Sequence, residues 1–370
     1  MTMTTQEFGA KIQRLIEKKS LSFDETYGMF RQVLLNHQPD LQQGAFLAAL
    51  TAKGETVEEI AGAWAAIDEL DTVHFEGEMP GPLCENSGTG MDQLKTFNVS
   101  SAAAIIAASC GVAMARHGAR AITSSCGTVD LMEAVGVDVD CSVSTVGESI
   151  RATGIGLFNG MSPHVHPGAL GRILSQIRFG STLNLAASLA NPCRPTLGLR
   201  GVHSPHLVEK SAQVMRQIGY RRGLVVHGSD AASGLGMDEI SVCGATSICE
   251  FTPAGTISYE LHPVDFGISP VPAAEVAATG QVDLEARRFI SVLKGDGRYS
   301  ACEDFACLNA GAILYITGQV PEMRRGLDVA RQAVASGGAI AKLREWAGCQ
   351  GVAGGAGLRR FDSLVADCAA

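Results

Sequence analysis

A cluster of glycines and prolines between residues 77 and 82 divides the chain into two parts with different hydrophobic patterns. Before this cluster, apolar residues recur at helical spacing. After it, short apolar runs alternate with helical patterns, as in a sheet whose parallel strands are joined by crossover helices. We therefore predict a small all-helical domain and a larger α/β domain with a central mixed, mostly parallel sheet flanked by helices.

The part before the cluster has the start signals of helices. Phe8, Ile12 and Leu15 fall on one helical face, and Thr56 with Glu59 forms a capping-box pattern. Two further helices are predicted over Leu41–Leu50 and Thr56–Leu70.

The part after the cluster mixes predicted strands with predicted helices. Pro253, Ala254 and Gly255 interrupt an apolar run as a turn does, which predicts a β-hairpin over Glu250–Glu260. Two short buried strands are predicted over Thr196–Leu199 and Leu224–His227. The predicted helices are Ala102–Cys110, Ser204–Gly219, Arg287–Leu293, Asp304–Thr317 and Gly326–Trp346.

Composition and charge narrow the class of protein. The formal net charge is −9, which argues against a nucleic-acid-binding surface. The 11 cysteines include no C-x-x-C pair, so we expect free, mostly buried thiols and no zinc ribbon. The first residues lack the charged-then-apolar pattern of an export signal, and the apolar stretch 102–115 is too short to span a bilayer. We expect a cytoplasmic protein without a membrane or nucleic-acid partner.

Two neighbouring segments have the residues of a phosphate-binding site. In the first, Gly88 and Gly90 flank Thr89, and Asp92 follows, so that backbone N–H groups can converge on an anion. The second is Asn98-Val99-Ser100-Ser101, directly before an apolar helix whose first N–H groups are free. Each segment alone is more often an ordinary turn or helix cap, but the two together favour phosphate binding.

Further charged and hydroxyl-rich segments follow along the chain. Arg116 and Arg120 flank His117 and Gly118, and arginine binds phosphate oxygens through paired hydrogen bonds. The loop 124–128 is again rich in hydroxyl groups and glycine. Asp238-Glu239 follows two glycines near predicted strand ends, and paired carboxylates with substrate phosphates suit Mg²⁺.

The order of these segments resembles the anthranilate phosphoribosyltransferase family (glycosyltransferase family 3) over nearly the whole chain. The similarity is carried by Gly-Thr-Gly, Asn-x-Ser, His-Gly-x-Arg, Asn191-Pro192, Val225-Val226-His227-Gly228 and Met237-Asp238-Glu239. It extends to the segments 48–56 and 308–312.

The resemblance implies a fold like that of type-II nucleoside phosphorylases and anthranilate phosphoribosyltransferases. The small helical domain would comprise residues 1–78 with a returning segment at about 165–195, and the α/β domain residues 79–164 and 196–370. Members of the family are usually homodimers through the helical domain. The implied reaction is displacement of diphosphate from phosphoribosyl diphosphate by an amine, as in tryptophan biosynthesis, with Mg²⁺ as cofactor.

The resemblance also implies roles for individual residues, none of them a general acid or base. Mg²⁺ would be held by Ser100, Asp238 and Glu239. The acceptor pocket would include His117, Ala119, His164, Arg172 and Leu174. Phosphoribosyl diphosphate would be bound by Gly88, Thr89, Gly90, Asp92, Thr96, Asn98, Ser100, Ser101, Arg116 and Cys126.

The chain departs from the family pattern at several of these positions. Met91 replaces a glycine of the phosphate-binding turn, Ala119 replaces an asparagine and Cys126 replaces a serine. The arginine that grips the anthranilate carboxylate aligns with Leu174 counted backwards from Asn191-Pro192, or with Ile173 counted forwards. The loss of this bidentate partner predicts weakened anthranilate binding.

Three functions therefore remain open. The first is a magnesium-dependent phosphoribosyltransferase acting on anthranilate or on another amine or heterocycle. The second is a paralogue that has lost catalysis and binds a ligand or partner. The third is a pyrimidine nucleoside phosphorylase, which shares the fold, although Cys84-Glu85-Asn86-Ser87 stands where that branch has lysine, histidine and serine.

Overall fold

A computed structural model describes residues 3–120 and 126–368 of the chain. Its strands are β1 (Cys84–Gly88), β2 (Met114–Gly118), β3 (Ile155–Asn159), β4 (Leu197–Gly201), β5 (Arg222–Ser229), β6 (Gly236–Met237), β7 (Thr246–Thr252) and β8 (Gly255–Leu261). Its first eight helices are α1 (Thr5–Ile16), α2 (Phe23–Leu34), α3 (Asp40–Lys53), α4 (Val57–Leu70), α5 (Val99–Ser109), α6 (Thr128–Ala134), α7 (Val143–Thr153) and α8 (Leu170–Ile177). The others are α9 (Thr182–Ala186), α10 (Val208–Gln217), α11 (Ala273–Val276), α12 (Val282–Lys294), α13 (Ser300–Ile316), α14 (Met323–Ala335), α15 (Gly338–Cys349) and α16 (Ala356–Asp367).

The helices of the first part begin where their capping residues stand. At the start of α4 the Thr56 side chain accepts from the Glu59 backbone N–H, and the Glu59 carboxylate accepts from the Thr56 N–H. Glu59 is fully buried and also pairs with Lys53 at 2.8 Å. The predicted capping box is confirmed, and the ion pair ties the end of α3 to the start of α4.

The sheet has the order β3-β2-β1-β4-β5-β7-β8, with β6 paired to β5. The strands from β3 to β5 are parallel, whereas β6, β7 and β8 are antiparallel to their neighbours. The chain fills one side of β1 with β2 and β3, and then returns to place β4 on its other side. This reversal of strand order opens a crevice at the carboxyl ends of β1 and β4, where ligands bind in open α/β sheets. The predicted small helical domain and mixed, mostly parallel sheet are confirmed.

The returning segment packs on the first helices. Leu170, Ile173 and Leu183 are buried in the same apolar cluster as Phe8 and Phe46 of the first part. The Trp64 indole N–H donates to the Leu189 carbonyl at 3.0 Å. These contacts support the division of the chain into residues 1–78 with about 165–195 and the remainder, which stays a prediction.

Two predictions of secondary structure need correction. The stretch Gly326–Trp346 is two helices, because Gly337 at its centre adopts a left-handed φ of 78° that ends α14. Three parallel strands, β1, β2 and β3, were not predicted. The first two have polar or charged residues at their centres, and β3 is short with a glycine at its second position. The hairpin at 250–260 is confirmed as β7 and β8.

Among the described residues, no helix has the length and apolarity needed to cross a membrane.

Candidate active site

A cavity of about 640 Å³ lies at the carboxyl ends of the parallel strands and is lined by the returning helical segment as well as by the sheet. Its volume is in the range of small-molecule sites. The sheet side contributes the loops after β1 and β2 and the amino end of α5. The helical side contributes residues of α8 and α9. The cavity therefore occupies the place where the strand order reverses.

The glycine loop after β1 is fixed to Asp238. The Gly90 N–H donates to Asp238 Oδ2 at 2.9 Å. A Cβ on Gly88 would lie 2.0 Å from the same oxygen, and a Cβ on Gly201 would lie 1.6 Å from the Asp238 carbonyl oxygen. Only glycine at positions 88 and 201 leaves room for Asp238, so the end of β1, the end of β4 and Asp238 can lie in contact. The glycine loop and the Asp238 carboxylate are therefore positioned together.

The amino end of α5 faces the same carboxylates. The Ser100 hydroxyl donates to Glu239 Oε1. Asn98 stands at the N-cap but makes no capping bond with its side chain; instead its amide lies 3.5 Å from the Cys126 carbonyl. The first N–H groups of a helix have no intrahelical partner and favour an anion. Hydroxyl, amide and backbone donors thus surround one end of the cavity.

Three carboxylates crowd this end of the cavity. Burial raises the pKa of Glu239 well above its ordinary value, and the neighbouring Asp238 charge raises it further. Burial, followed by the Asp238 charge, raises the pKa of Asp92 to about 6, and Lys95 opposes this shift from 3.1 Å. Negative charge is therefore concentrated where a cation would relieve the repulsion.

Buried polar side chains lie beneath the cavity and are hydrogen-bonded to one another. Arg116 of β2 donates from Nε to Asn86 Oδ1 at 3.0 Å and from Nη1 to Ser101 Oγ at 2.8 Å. Burial lowers the pKa of Arg116 to about 10, although the Glu239 and Glu85 charges oppose the shift. The guanidinium stays cationic at neutral pH and brings positive charge beneath the end of the cavity that the glycine loop and α5 form.

Two histidines face each other at the other end of the cavity. His166 Nδ1 lies 2.6 Å from the Asp71 carbonyl oxygen and must donate to it, since a carbonyl only accepts. His117 Nε2 lies 3.2 Å from His166 Nε2, within hydrogen-bond distance. Burial, followed by the His166 charge, lowers the pKa of His117 to about 3, and burial also lowers the pKa of His166. Both rings are neutral near pH 7.

We predict that His117→Gln makes the protein less sensitive to acid. An unfolded histidine titrates near pH 6.5, whereas folded His117 does so near 3. The stability from neutral His117 is thus complete above pH 6.5 and is lost as the pH falls towards the folded value. One such group contributes a slope of at most about 1.4 kcal/mol per pH unit. Urea unfolding should show that the free energy of unfolding falls less between pH 7 and pH 5 in the variant than in the wild type.

The matched control is His164→Gln, which removes an exposed histidine. An unchanged or steeper loss of unfolding free energy in His117→Gln would show that His117 is not a buried neutral base.

Most residues that the resemblance implicates line this one cavity. Met91, which replaces a glycine, lies against the returning segment: a Cβ on Gly180 would be 2.5 Å from its Sδ. Cys126 keeps its thiol, because burial raises its pKa to about 12. Ser124 and Ser125 lie outside the described residues. The predicted residues that line the cavity are Gly88, Thr89, Gly90, Asp92, Thr96, Asn98, Ser100, Arg116, His117, Ala119, Cys126, Leu174, Asp238 and Glu239.

Three predicted site residues are not brought to the cavity surface, and the structure corrects their placement. Ser101 is buried behind Arg116 and accepts its hydrogen bond. Arg172 points into the helical part, where it donates to the Val33 carbonyl at 2.7 Å. His164 is exposed outside the cavity, while His166, two residues on, lines it.

Other lining residues were not predicted from the sequence. Lys95 pairs with Asp92, and its spacing of three residues was the available signal. Arg178 lines the cavity one helical turn after Leu174 and could have been found from that spacing. Leu170, Ile177 and Leu183 carry no chemical signal in a sequence and were found only from the packing of α8 and α9.

Comparisons with known proteins agree with this geometry. The Glycosyl transferase family helical bundle domain matches residues 11–70, and the Glycosyl transferase family a/b domain matches residues 81–340. An anthranilate phosphoribosyltransferase of Laribacter hongkongensis is 35% identical over 332 residues, which are 90% of this chain and 94% of the relative.

Solved structures have the same fold. Anthranilate phosphoribosyltransferase from Thermus thermophilus superposes with a TM-score of 0.81 at 30% identity, covering 92% of this chain and 98% of the other. The Saccharomyces cerevisiae enzyme in complex with PRPP and Mg gives 0.82 at 23% identity, covering 95% and 99%, and supports the fold alone. Since the family models match most of the chain and the bacterial relative is similar over nine-tenths of it, the chain belongs to the anthranilate phosphoribosyltransferase family and is a glycosyltransferase.

Proposed function

We propose that the protein transfers the phosphoribosyl group of phosphoribosyl diphosphate to the nitrogen of anthranilate or a related aromatic amine or heterocycle, in a magnesium-dependent reaction. The observation that carries the proposal is the convergence of the glycine loop, Ser100 of α5 and Asp238-Glu239 at one end of a cavity of about 640 Å³. The names of the relatives described above, which are anthranilate phosphoribosyltransferases, support it.

The diphosphate would lie on the backbone of Gly88–Gly90 and at the amino end of α5. Asn98 supplies a side-chain donor there, and Arg116 supplies a buried positive charge. Charge develops on the leaving diphosphate as its bond to the anomeric carbon breaks, so fixed donors at this end stabilise the transition state more than the ground state.

The residues present fit a magnesium ion. Asp238, Glu239 and Ser100 offer hard oxygen atoms, the type of ligand that Mg²⁺ prefers, and substrate phosphates normally complete its shell. The raised pKa of Glu239 reflects burial and the adjacent Asp238 charge, which a divalent cation would offset. A bound Mg²⁺ would neutralise charge on the diphosphate.

The acceptor would lie at the end formed by the helical segment and the histidine pair. Leu170, Leu174 and Leu183 provide apolar contacts for a ring. His117 and His166 are neutral at physiological pH and lie 3.2 Å apart, so they can position an amine without repelling it. Holding the amine against the anomeric carbon is the main contribution that this end can make.

The helical part also presents apolar side chains to solvent, among them Leu41 at 90% and Ile16 at 59% exposure. We propose these as candidates for a homodimer interface, as the resemblance implies. Sedimentation equilibrium would show whether the protein is a dimer.

Calorimetric titration of phosphoribosyl diphosphate, with and without magnesium, tests the donor site. We expect binding at micromolar concentrations with magnesium and much weaker binding without it. Absence of binding at millimolar ligand would mean that Met91 and Ala119 have disabled the donor site, and would favour the non-catalytic paralogue.

A further inference from the structure

Arg178 follows the last residue of α8, and its side chain lines the cavity. Leu174 lines the same cavity four residues earlier, at the position where the family resemblance places a carboxylate-binding arginine. Residues four apart lie on the same side of a helix, one turn from each other. Leu174 is half-buried and Arg178 is exposed, so Arg178 stands nearer the mouth.

Arg178 differs from the other cations that line the described part of the cavity. Lys95, Arg120 and Arg116 each have protein partners within hydrogen-bond distance through their terminal nitrogens. Arg178 forms no ion pair with any described residue, and its Nε donates to the Ser175 carbonyl at 3.4 Å. Both terminal nitrogens are therefore available to an anion in the fork geometry that fits a carboxylate.

The surroundings of Arg178 suit the carboxylate of an aromatic acceptor better than the diphosphate of the donor. Ile177 and Phe179 beside it are apolar lining residues, as is Leu183, and can contact a ring. The donor end, by contrast, has its own cation in Arg116, and its carboxylates already face a lysine. A ring packed on the apolar residues would bring its carboxylate to the mouth and its amine inwards.

The backbone of Arg178 turns the chain at the end of α8. Its φ of 46° lies in the left-handed region, which residues other than glycine and asparagine adopt at a cost. The turn directs the chain so that Gly180 lies against Met91 of the glycine loop. Arg178 is thereby placed at the border between the two ends of the cavity.

We propose that Arg178 binds the carboxylate of the acceptor, an aromatic amine that carries a carboxylate on its ring, in place of the arginine lost at Leu174. This inference rests on the proposed function, since it assigns a contact to the acceptor of that reaction. It makes 2-aminobenzoate-type acceptors the preferred class despite the change at Leu174.

The test compares wild type with Arg178→Gln, Arg178→Lys and Arg194→Gln by calorimetric titration. Arg194 is the matched control, because it is also an arginine with a left-handed φ, 47°, but pairs with Asp68 away from the cavity. The ligands are anthranilate, its neutral isostere 2-aminobenzamide, and phosphoribosyl diphosphate with magnesium.

We expect Arg178→Gln to weaken anthranilate binding about tenfold or more, as for a charge-assisted hydrogen bond. Arg178→Lys should retain part of the affinity, and Arg194→Gln all of it. The dissociation constants of 2-aminobenzamide and phosphoribosyl diphosphate should not change in Arg178→Gln.

Equal weakening of anthranilate and 2-aminobenzamide, weakening of phosphoribosyl diphosphate alone, or no anthranilate binding by wild type would each overturn the assignment. Failure of wild type to bind phosphoribosyl diphosphate would instead contradict the proposed function. The anthranilate titrations would still decide the role of Arg178, because they require no turnover.

Discussion

The double variant Asp238→Asn, Glu239→Gln is expected to lose phosphoribosyl transfer by at least about a thousandfold, because removal of single transition-state contacts already costs 100- to 1,000-fold. Both carboxylates become neutral amides of the same size, so the proposed magnesium site would lose its two charged ligands while the cavity keeps its shape. The Gly90 N–H, 2.9 Å from Asp238 Oδ2 in the wild type, can still donate to the amide oxygen.

The same variant is expected to be as stable as the wild type or more stable. Burial and the Asp238 charge disfavour ionised Glu239, so a neutral side chain there removes an unfavourable charge. Thermal unfolding should therefore show an unchanged or higher Tm beside the lost activity. Such opposite effects are typical of residues kept for function rather than for folding.

The control for this variant is the exchange of two exposed carboxylates, Glu76→Gln with Glu78→Gln, which lie outside the cavity. It should retain full activity. Full magnesium-dependent activity in the Asp238, Glu239 double variant would show that the metal assignment is wrong.

Gly88→Ala is expected to reduce turnover by about a hundredfold, the scale of loss that a misplacement of about 1 Å causes in an active site. The new methyl group would lie 2.0 Å from Asp238 Oδ2, so the carboxyl group must move and give up its bond to Gly90. The clash is with the end of a side chain, so we expect a larger effect on kcat than on stability.

Gly81→Ala is the matched control, because a Cβ there meets no atom within 4 Å and its φ is not left-handed. Steady-state kinetics and Tm should be measured for both variants. A Gly88→Ala protein with wild-type kcat would contradict the close coupling of the glycine loop to Asp238.

The sequence predicted those helices and strands whose residue types match their burial in the fold: apolar residues where the chain is buried and turn residues where it reverses. The hairpin of β7 and β8 has a turn at Pro253-Ala254-Gly255 between β-forming residues, and it was found. Strand β1 was not found, because Glu85 and Asn86 at its centre resemble a polar loop. They are buried in the sheet only because distant groups pair with them: the Tyr220 hydroxyl donates to Glu85 Oε2 at 2.7 Å, and Arg116 donates to Asn86.

The candidate site was predicted best where a backbone motif determines it. The glycine loop, the start of α5 and Asp238-Glu239 are local patterns, and the structure brings them together. The acceptor end depends on where α8 and α9 return to the sheet, which sequence spacing does not determine. Arg172 and Arg178 differ by six residues, yet one points into the helical part and the other into the cavity.

The most direct test of the proposed phosphoribosyl transfer is a turnover assay with phosphoribosyl diphosphate, magnesium and anthranilate. Loss of anthranilate, followed by its fluorescence, should be matched by equimolar release of diphosphate, and omission of magnesium or donor should stop both. If neither anthranilate nor other aromatic amines are consumed while the donor binds tightly, the protein is a binding paralogue and the proposed transfer is wrong. Phosphate-dependent release of a free base from a nucleoside would identify a phosphorylase instead.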